Sequence, residues 1–207
     1  MADLMKGKRG LIMGVANERS IAWDVTNDAS LDMAFDQIRQ EWGRLDFLVH
    51  AIAFSDKNEL TGRISNTSRT NFKNTLDISC FSFIDVARRA SELMSNGGCL
   101  MTMTYGGSNR VTPNYNVMGV AKAALESSVR YLADLGPQKI RVNAISPGPM
   151  KTLAGAAIGG ARATFRHAEQ NAPLQCNASL DSVGGTAVYL ASDYGMHTTG
   201  EIIRVDG

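Results

Sequence analysis

Cys99-Leu100-Met101-Thr102-Met103-Thr104-Tyr105-Gly106-Gly107, running on to Tyr115-Asn116-Val117-Met118-Gly119-Val120-Ala121-Lys122, reads as a strand that delivers the chain to a helix. The stretch Cys99 to Thr104 carries no charge, as a strand covered on both faces requires. From Asn116 to Leu132 the residues are good helix formers, and Gly136-Pro137 punctuates the helix. Positions seven apart on a helix differ by about 700°, nearly two full turns, so Tyr115 and Lys122 share one face. They lie about 10 Å apart along the axis, within reach of a lysine side chain or of a ligand between them. A surface lysine and a half-buried tyrosine would show the same spacing, so the neighbouring elements have to decide.

Those neighbours alternate between strand and helix. Strands are expected at Lys8 to Gly14, Leu45 to Ala53, Cys99 to Thr104, Ile140 to Ser146 and Glu201 to Asp206. Leu31, Phe35, Ile38 and Trp42 form a helical stripe ended by Gly43. Further helices are expected within Thr70 to Met94, closed by Asn96-Gly97-Gly98, and from Val183 to Ser192. Alternating elements with short Val-, Ile- and Leu-rich strands predict an α/β fold, a Rossmann-like doubly wound parallel sheet with helices on both faces. Ligands of such sheets bind beyond the carboxyl ends of the strands, and Gly14, Ile52, Tyr105 and Pro147 to Met150 all follow strand ends. No repeat or low-complexity linker divides the chain, so residues 1–207 are read as one domain.

Composition narrows the function classes. A net charge of +1, with no basic run interleaved with aromatics, gives no case for nucleic acid or an anionic membrane. Nothing approaches the roughly 18 apolar residues of a membrane span, and Leu11-Ile12-Met13 is too short for a signal core. Cys80, Cys99 and Cys176 are odd in number and without a C-x-x-C, and His50, His167 and His197 show no metal spacing. A soluble, cytoplasmic protein without a metal is expected. Gly14, followed by Val15 to Ser20, sets a strand, a turn and a helix start that would offer free N–H groups to a phosphate, although G-x-G-x-x-G is incomplete.

With the strand ends located, the residues resemble the short-chain dehydrogenase/reductase superfamily, and within it the bacterial NADH-dependent enoyl-acyl-carrier-protein reductases. Gly14-Val15-Ala16-Asn17-Glu18-Arg19-Ser20-Ile21-Ala22-Trp23 stands for the usual three-glycine turn, and His50-Ala51-Ile52-Ala53-Phe54 for Asn-Asn-Ala-Gly. Tyr105, nine residues, Tyr115, six residues and Lys122 is the enoyl reductase spacing. Carbonyl reductases place a serine thirteen residues before the second tyrosine, where this chain has Thr102. Arg141 to Ser146 and Thr152-Leu153-Ala154 complete the resemblance, which runs from Leu4 to Gly207 with one interruption. After Trp23 the family continues through further elements to an Asp-Val pair, and here Asp24-Val25 follows at once. A dinucleotide fold needs about 30 residues from its first strand to its second, so roughly forty residues are expected to be missing between Trp23 and Asp24. Omission is favoured over deletion, because losing two strands should destroy the fold.

The resemblance implies reduction of a trans-2-enoyl thioester on acyl carrier protein, with NADH as hydride donor. NADPH stays open, because the ribose-selecting stretch falls in the gap. Tyr115 is the implied donor to the enolate oxygen, Lys122 the group on the nicotinamide ribose that also favours phenolate, and Tyr105 the lining of the acyl pocket. Gly14, Ser20 and Ile21 are implied at the pyrophosphate and ribose, Asp24 and Val25 at the adenine, and Ile52 at the nicotinamide. Met150, Lys151, Thr152, Leu153 and Ala154 are implied at the carboxamide and Ser55 at the pocket mouth. The small residues of Thr152 to Ala168 suggest a lid, with Arg162 and Arg166 facing the carrier protein. Family analogy implies a homotetramer through the helices containing Phe72 to Met94 and Met118 to Leu132. The rival readings are a 3-oxoacyl or other carbonyl reductase using Thr102, and a cofactor-free remnant acting as an interaction protein.

Overall fold

The apolar runs form five parallel strands in a computed structural model that describes residues 3–14, 23–150 and 161–207. They are β1 (Gly10–Met13), β2 (Phe47–His50), β3 (Gly98–Met103), β4 (Ile140–Pro147) and β5 (Ile202–Val205), hydrogen-bonded in that order. One register line crosses the sheet through Met13, His50, Thr102, Ala144 and Ile202. Every strand therefore ends on the same edge, and the loops carrying Gly14, Ile52, Tyr105 and Pro147 to Met150 leave from it.

Alternation along the strands sends successive side chains to opposite faces. On one face Leu11, Leu48, Leu100 and Val142 meet α1 (Asp28–Trp42), α3 (Ser82–Ser91) and α4 (Asn116–Leu132) through Leu31, Phe35, Phe83, Val86, Leu125 and Val129. Fully burying side chains of this size contributes about 1.5–3 kcal/mol each. On the other face Cys99, Met101 and Ile145 meet Leu190 and Ala191 of α6 (Leu180–Ala191). The expected parallel sheet with helices on both faces is present. Among the described residues β1 pairs with β2 alone and stands at the sheet edge, and Ile12, on its second face, is 58% exposed.

Local chemistry sets the element ends. The stripe expected from Leu31 begins earlier, because the Asn27 side chain accepts the Ser30 N–H and caps α1, which Gly43 closes at φ 70°. A reciprocal Ser179/Ser182 capping box likewise starts α6 before Val183. The single helix expected within Thr70 to Met94 is three pieces: α2 (Arg69–Leu76), a widened π turn (Asp77–Phe81) and α3. The extra residue in that turn brings two hydroxyls to the sheet edge: Ser79 bonds the Phe54 N–H and carbonyl, and Ser82 reaches His50. Arg89 of α3, almost buried, ties α1 in place through Asp32 at 2.8 Å and Asp28 at 3.1 Å, with Asp85 completing its shell. A buried guanidinium requires such company, and it fixes how α1 sits against α3.

Candidate functional site

Gly14 leaves β1 at φ +117°, a region closed to most side chains, and an added Cβ would lie 2.2 Å from the Ala51 carbonyl oxygen. The same crossing point is held by the Ala51 N–H donating to Met13 O at 2.8 Å. Only glycine fits there, so the ends of β1 and β2 can close together. Ile52, Trp23 and Val25 are partly buried side chains packed against the main core. Asp24 is exposed, and its carboxylate accepts from the Thr26 N–H and hydroxyl, bonds that hold its pKa below the usual range. Ser20, Ile21, Lys151, Thr152, Leu153 and Ala154 lie outside the described residues, and Met150 is half-buried at the edge of them.

Two tyrosines meet at the end of β3. The Tyr105 and Tyr115 rings pack edge to face, with centroids 5.3 Å apart and planes at 66°. Tyr115 is 6% exposed, and Gly107 supports its ring so closely that a Cβ would lie 2.5 Å from Cδ1. Asn114 and Asn116, on either side of it, both have positive φ, 60° and 31°. Asparagine tolerates that conformation better than most residues, and such strain is retained where a side chain must be aimed. Burial, then the neighbouring Tyr105 and Glu126, push the Tyr115 pKa up, so the phenol keeps its proton. These pulls run towards the neutral phenol, the opposite of the phenolate that the resemblance implied Lys122 would favour.

Lys122 is buried on α4, and its Nζ donates to the Met103 carbonyl at 2.8 Å. Burial lowers its pKa to about 8, against upward pulls from Cys80 and Glu126. Tyr115, expected on the helix, is its N-cap residue, and both it and Lys122 are buried. The spacing could not show that the ammonium would be anchored to the strand end that carries Tyr105.

Thr102 is fully buried, donates to the His50 carbonyl at 3.1 Å and lies 3.0 Å from His50 Nδ1. Ser82 Oγ sits 2.8 Å from His50 Nε2, and burial, with Lys122 second, lowers the His50 pKa to about 3. The hydroxyl at the carbonyl reductases' serine position is therefore spent inside the sheet. His50 is a neutral core histidine held between two hydroxyls.

Two clefts open on either side of the tyrosine pair. One, of 680 Å³, is lined by Phe54, Ser55, Leu60, Asn71, Tyr115 and Met118. Ser55 does share a cleft with Tyr115, and it is held there by the Thr75 hydroxyl at 2.9 Å and Asn71 Oδ1 at 3.3 Å. The other, also 680 Å³, lies between Tyr105, Arg110, Pro147 and the helix α5 (Ala161–Asn171), which contributes Ala163 and His167. The stretch expected to be a lid is thus helical from Ala161, and residues 152–160 lie outside the described residues. Sequence reasoning missed the Thr104–Glu126 hydrogen bond at 2.7 Å and the hydroxyls of Ser79 and Ser82; no spacing rule pairs them, because the π turn sets their direction.

Among the described residues no three His, Cys, Asp or Glu side chains gather as a metal site, and no helix is long and apolar enough to cross a membrane. A family model described as "Enoyl-(Acyl carrier protein) reductase" matches residues 9–207. A Rhizobium meliloti (strain 1021) protein named as an NADH enoyl-acyl-carrier-protein reductase is 50% identical over 248 aligned positions, covering 100% of this chain and 92% of the relative. The crystal structure of the Anaplasma phagocytophilum reductase in complex with NAD superimposes with TM-score 0.92 at 46% identity, over 98% of this chain and 94% of that one. A Candidatus Liberibacter asiaticus structure superimposes with TM-score 0.93 at 45% identity, over 98% and 95%. Edge-to-face tyrosines, a buried lysine behind them and a full-length match converge, and the chain belongs to the enoyl-(acyl carrier protein) reductase family.

Proposed function

We propose that this chain reduces trans-2-enoyl-acyl-carrier-protein to acyl-acyl-carrier-protein with NADH, in fatty acid elongation. The observation that carries the reading is the tyrosine pair: a buried, protonated Tyr115 phenol in edge contact with Tyr105, between two clefts. The residues present fit a nicotinamide cofactor. Gly14 closes the strand ends, Ile52 supplies an apolar flank, and Lys122 supplies a buried cation on the helix facing them. NADH, when bound, supplies the hydride that adds to the β-carbon of the enoyl thioester. Negative charge then develops on the thioester oxygen, where the Tyr115 O–H is the hydrogen-bond donor, and the enolate becomes the saturated thioester by taking a proton from solvent at its α-carbon. Lys122 holds positive charge nearby and binds the ribose hydroxyls. Tyr105 and Ser55 line the acyl path.

The same reading assigns Gly14, Ser20, Ile21, Asp24 and Val25 to the pyrophosphate and adenosine half, and Met150 to Ala154 to the carboxamide. It makes 152–168 a lid whose Arg162 and Arg166 meet the acidic carrier protein. Exposed Phe72, Phe81, Val120 and Tyr131 on the outer surfaces of α2 to α4 support assembly as a homotetramer, and the cytoplasm is the compartment. Thioesters decide against the carbonyl reductase reading. With NADH, crotonyl thioester should turn over and acetoacetyl thioester should not; turnover of the ketone alone would overturn the assignment. The locked Thr102 hydroxyl favours the first outcome.

The single domain is proposed to include about forty further residues between Trp23 and Asp24, the place where a dinucleotide fold requires them. Ile12 exposed in mid-strand supports this, as does an alignment of 248 positions against 207 residues here. Intact mass of the native protein checks it: several kilodaltons above 22.3 kDa is expected. A mass of 22.3 kDa would support the remnant reading instead.

A further inference from the structure

We propose that Glu126 is a positioning residue of this site: from one turn beyond Lys122 it clasps the end of β3 and keeps the lysine charged. The inference rests on the reductase reading for its kinetic consequence and on geometry for the rest. Glu126 is 9% exposed, and its Oε1 accepts the Thr104 hydroxyl at 2.7 Å. Lys122 donates to the Met103 carbonyl at 2.8 Å. Two consecutive residues of the departing strand are therefore held by two side chains four positions apart on α4, which face the same way. Tyr105 is the next residue, so the clasp sets where its ring starts from. A carboxylate this buried is costly unless it is paired, and its hydrogen bond to the neutral Thr104 hydroxyl leaves its charge acting on the groups around it.

The charged and titratable groups facing that charge come from every packed element. On α4 they are Lys122 and, at its start, Tyr115. From β2 His50, made neutral by burial, feels Lys122; from the π turn Cys80 faces the same ammonium. Tyr105 acts on Tyr115 and is itself influenced by Arg110. Within this set Glu126 works in one direction for both reacting groups. It raises the Lys122 pKa against burial, after Cys80, and it raises that of Tyr115, after burial and Tyr105.

Glu126→Gln keeps an acceptor for Thr104 and removes the charge. The Lys122 midpoint is read by NMR titration of lysine labelled at Nζ, in the chain without cofactor or substrate, its signal assigned by its loss in Lys122→Arg. The lysine is charged below its pKa, so removing an upward pull moves the midpoint down. At an effective dielectric near 20, a unit charge within about 12 Å is worth at least about one pH unit, so the midpoint should fall from about 8 to about 7 or below. The alkaline limb of kcat for crotonyl thioester should follow by the same amount, with KM within about twofold. A midpoint that stays in place, with only thermal stability lowered, would reduce Glu126 to a structural residue and overturn the proposal. Should Glu126→Gln fail to fold, Thr104→Val removes the clasp alone: KM for the thioester should rise severalfold at unchanged Tm, and an unchanged KM overturns the clasp. The titration needs no turnover, so it separates this inference from the reductase reading, which fails only if the wild-type chain reduces no crotonyl thioester.

Discussion

Replacing Tyr115 with Phe is expected to lower kcat by about a hundredfold to a thousandfold, the cost of removing one oxyanion donor, about 3 kcal/mol. The ring would stay where it is. Gly107 supports its Cδ1 edge and Tyr105 packs against it edge-on, contacts that a phenylalanine repeats. The enoyl thioester in its ground state makes little demand on the donor, because charge on the oxygen develops only as hydride arrives. KM should therefore change by less than about threefold, while kcat and kcat/KM fall together. Steady-state kinetics with crotonyl thioester measure both, and a kcat within a factor of two of wild type would remove Tyr115 from the chemistry. Because burial keeps this phenol protonated well above neutral pH, its own titration should not appear in the pH profile below the alkaline limb set by Lys122.

Lys122→Met is expected to lower kcat by a similar factor and to raise KM for NADH at least tenfold, because in the proposed mechanism it removes both the cation near the developing enolate and the donor to the ribose. Folding should survive the change. Methionine keeps a buried unbranched side chain at this position, and the cost is the lost donor to the Met103 carbonyl, about 1–3 kcal/mol, offset in part by no longer burying a charge. In the wild-type chain the sign of the pH effect follows from burial. The ammonium, with its pKa lowered to about 8, is charged below that pH and lost above it, so kcat should decline as pH rises through 8. The variant should lack that limb. If Lys122→Met bound NADH as tightly as wild type, judged by fluorescence titration, the lysine would have no part in holding the cofactor.

The amino-acid sequence by itself determined the architecture, because periodicity and chain punctuation are local. The five runs read as strands became the five parallel strands, the helix Asn116–Leu132 came out with the bounds read from its residue types, and one line of strand ends defined the site edge. It also singled out Tyr115 and Lys122, seven positions apart at the start of one helix, as the candidate pair. Only the tertiary structure decided what those groups are like. That the phenol is protonated, that Lys122 is anchored to Met103, that the Thr102 hydroxyl is locked to His50 and that Glu126 closes on Thr104 all depend on residues well separated in sequence, the three bonded pairs by 19 to 52 positions, meeting in a dry interior. The physical reason is that propensity and spacing act within a few residues, whereas desolvation and charge coupling depend on what packs around a group, which is fixed when the helices dock on the sheet.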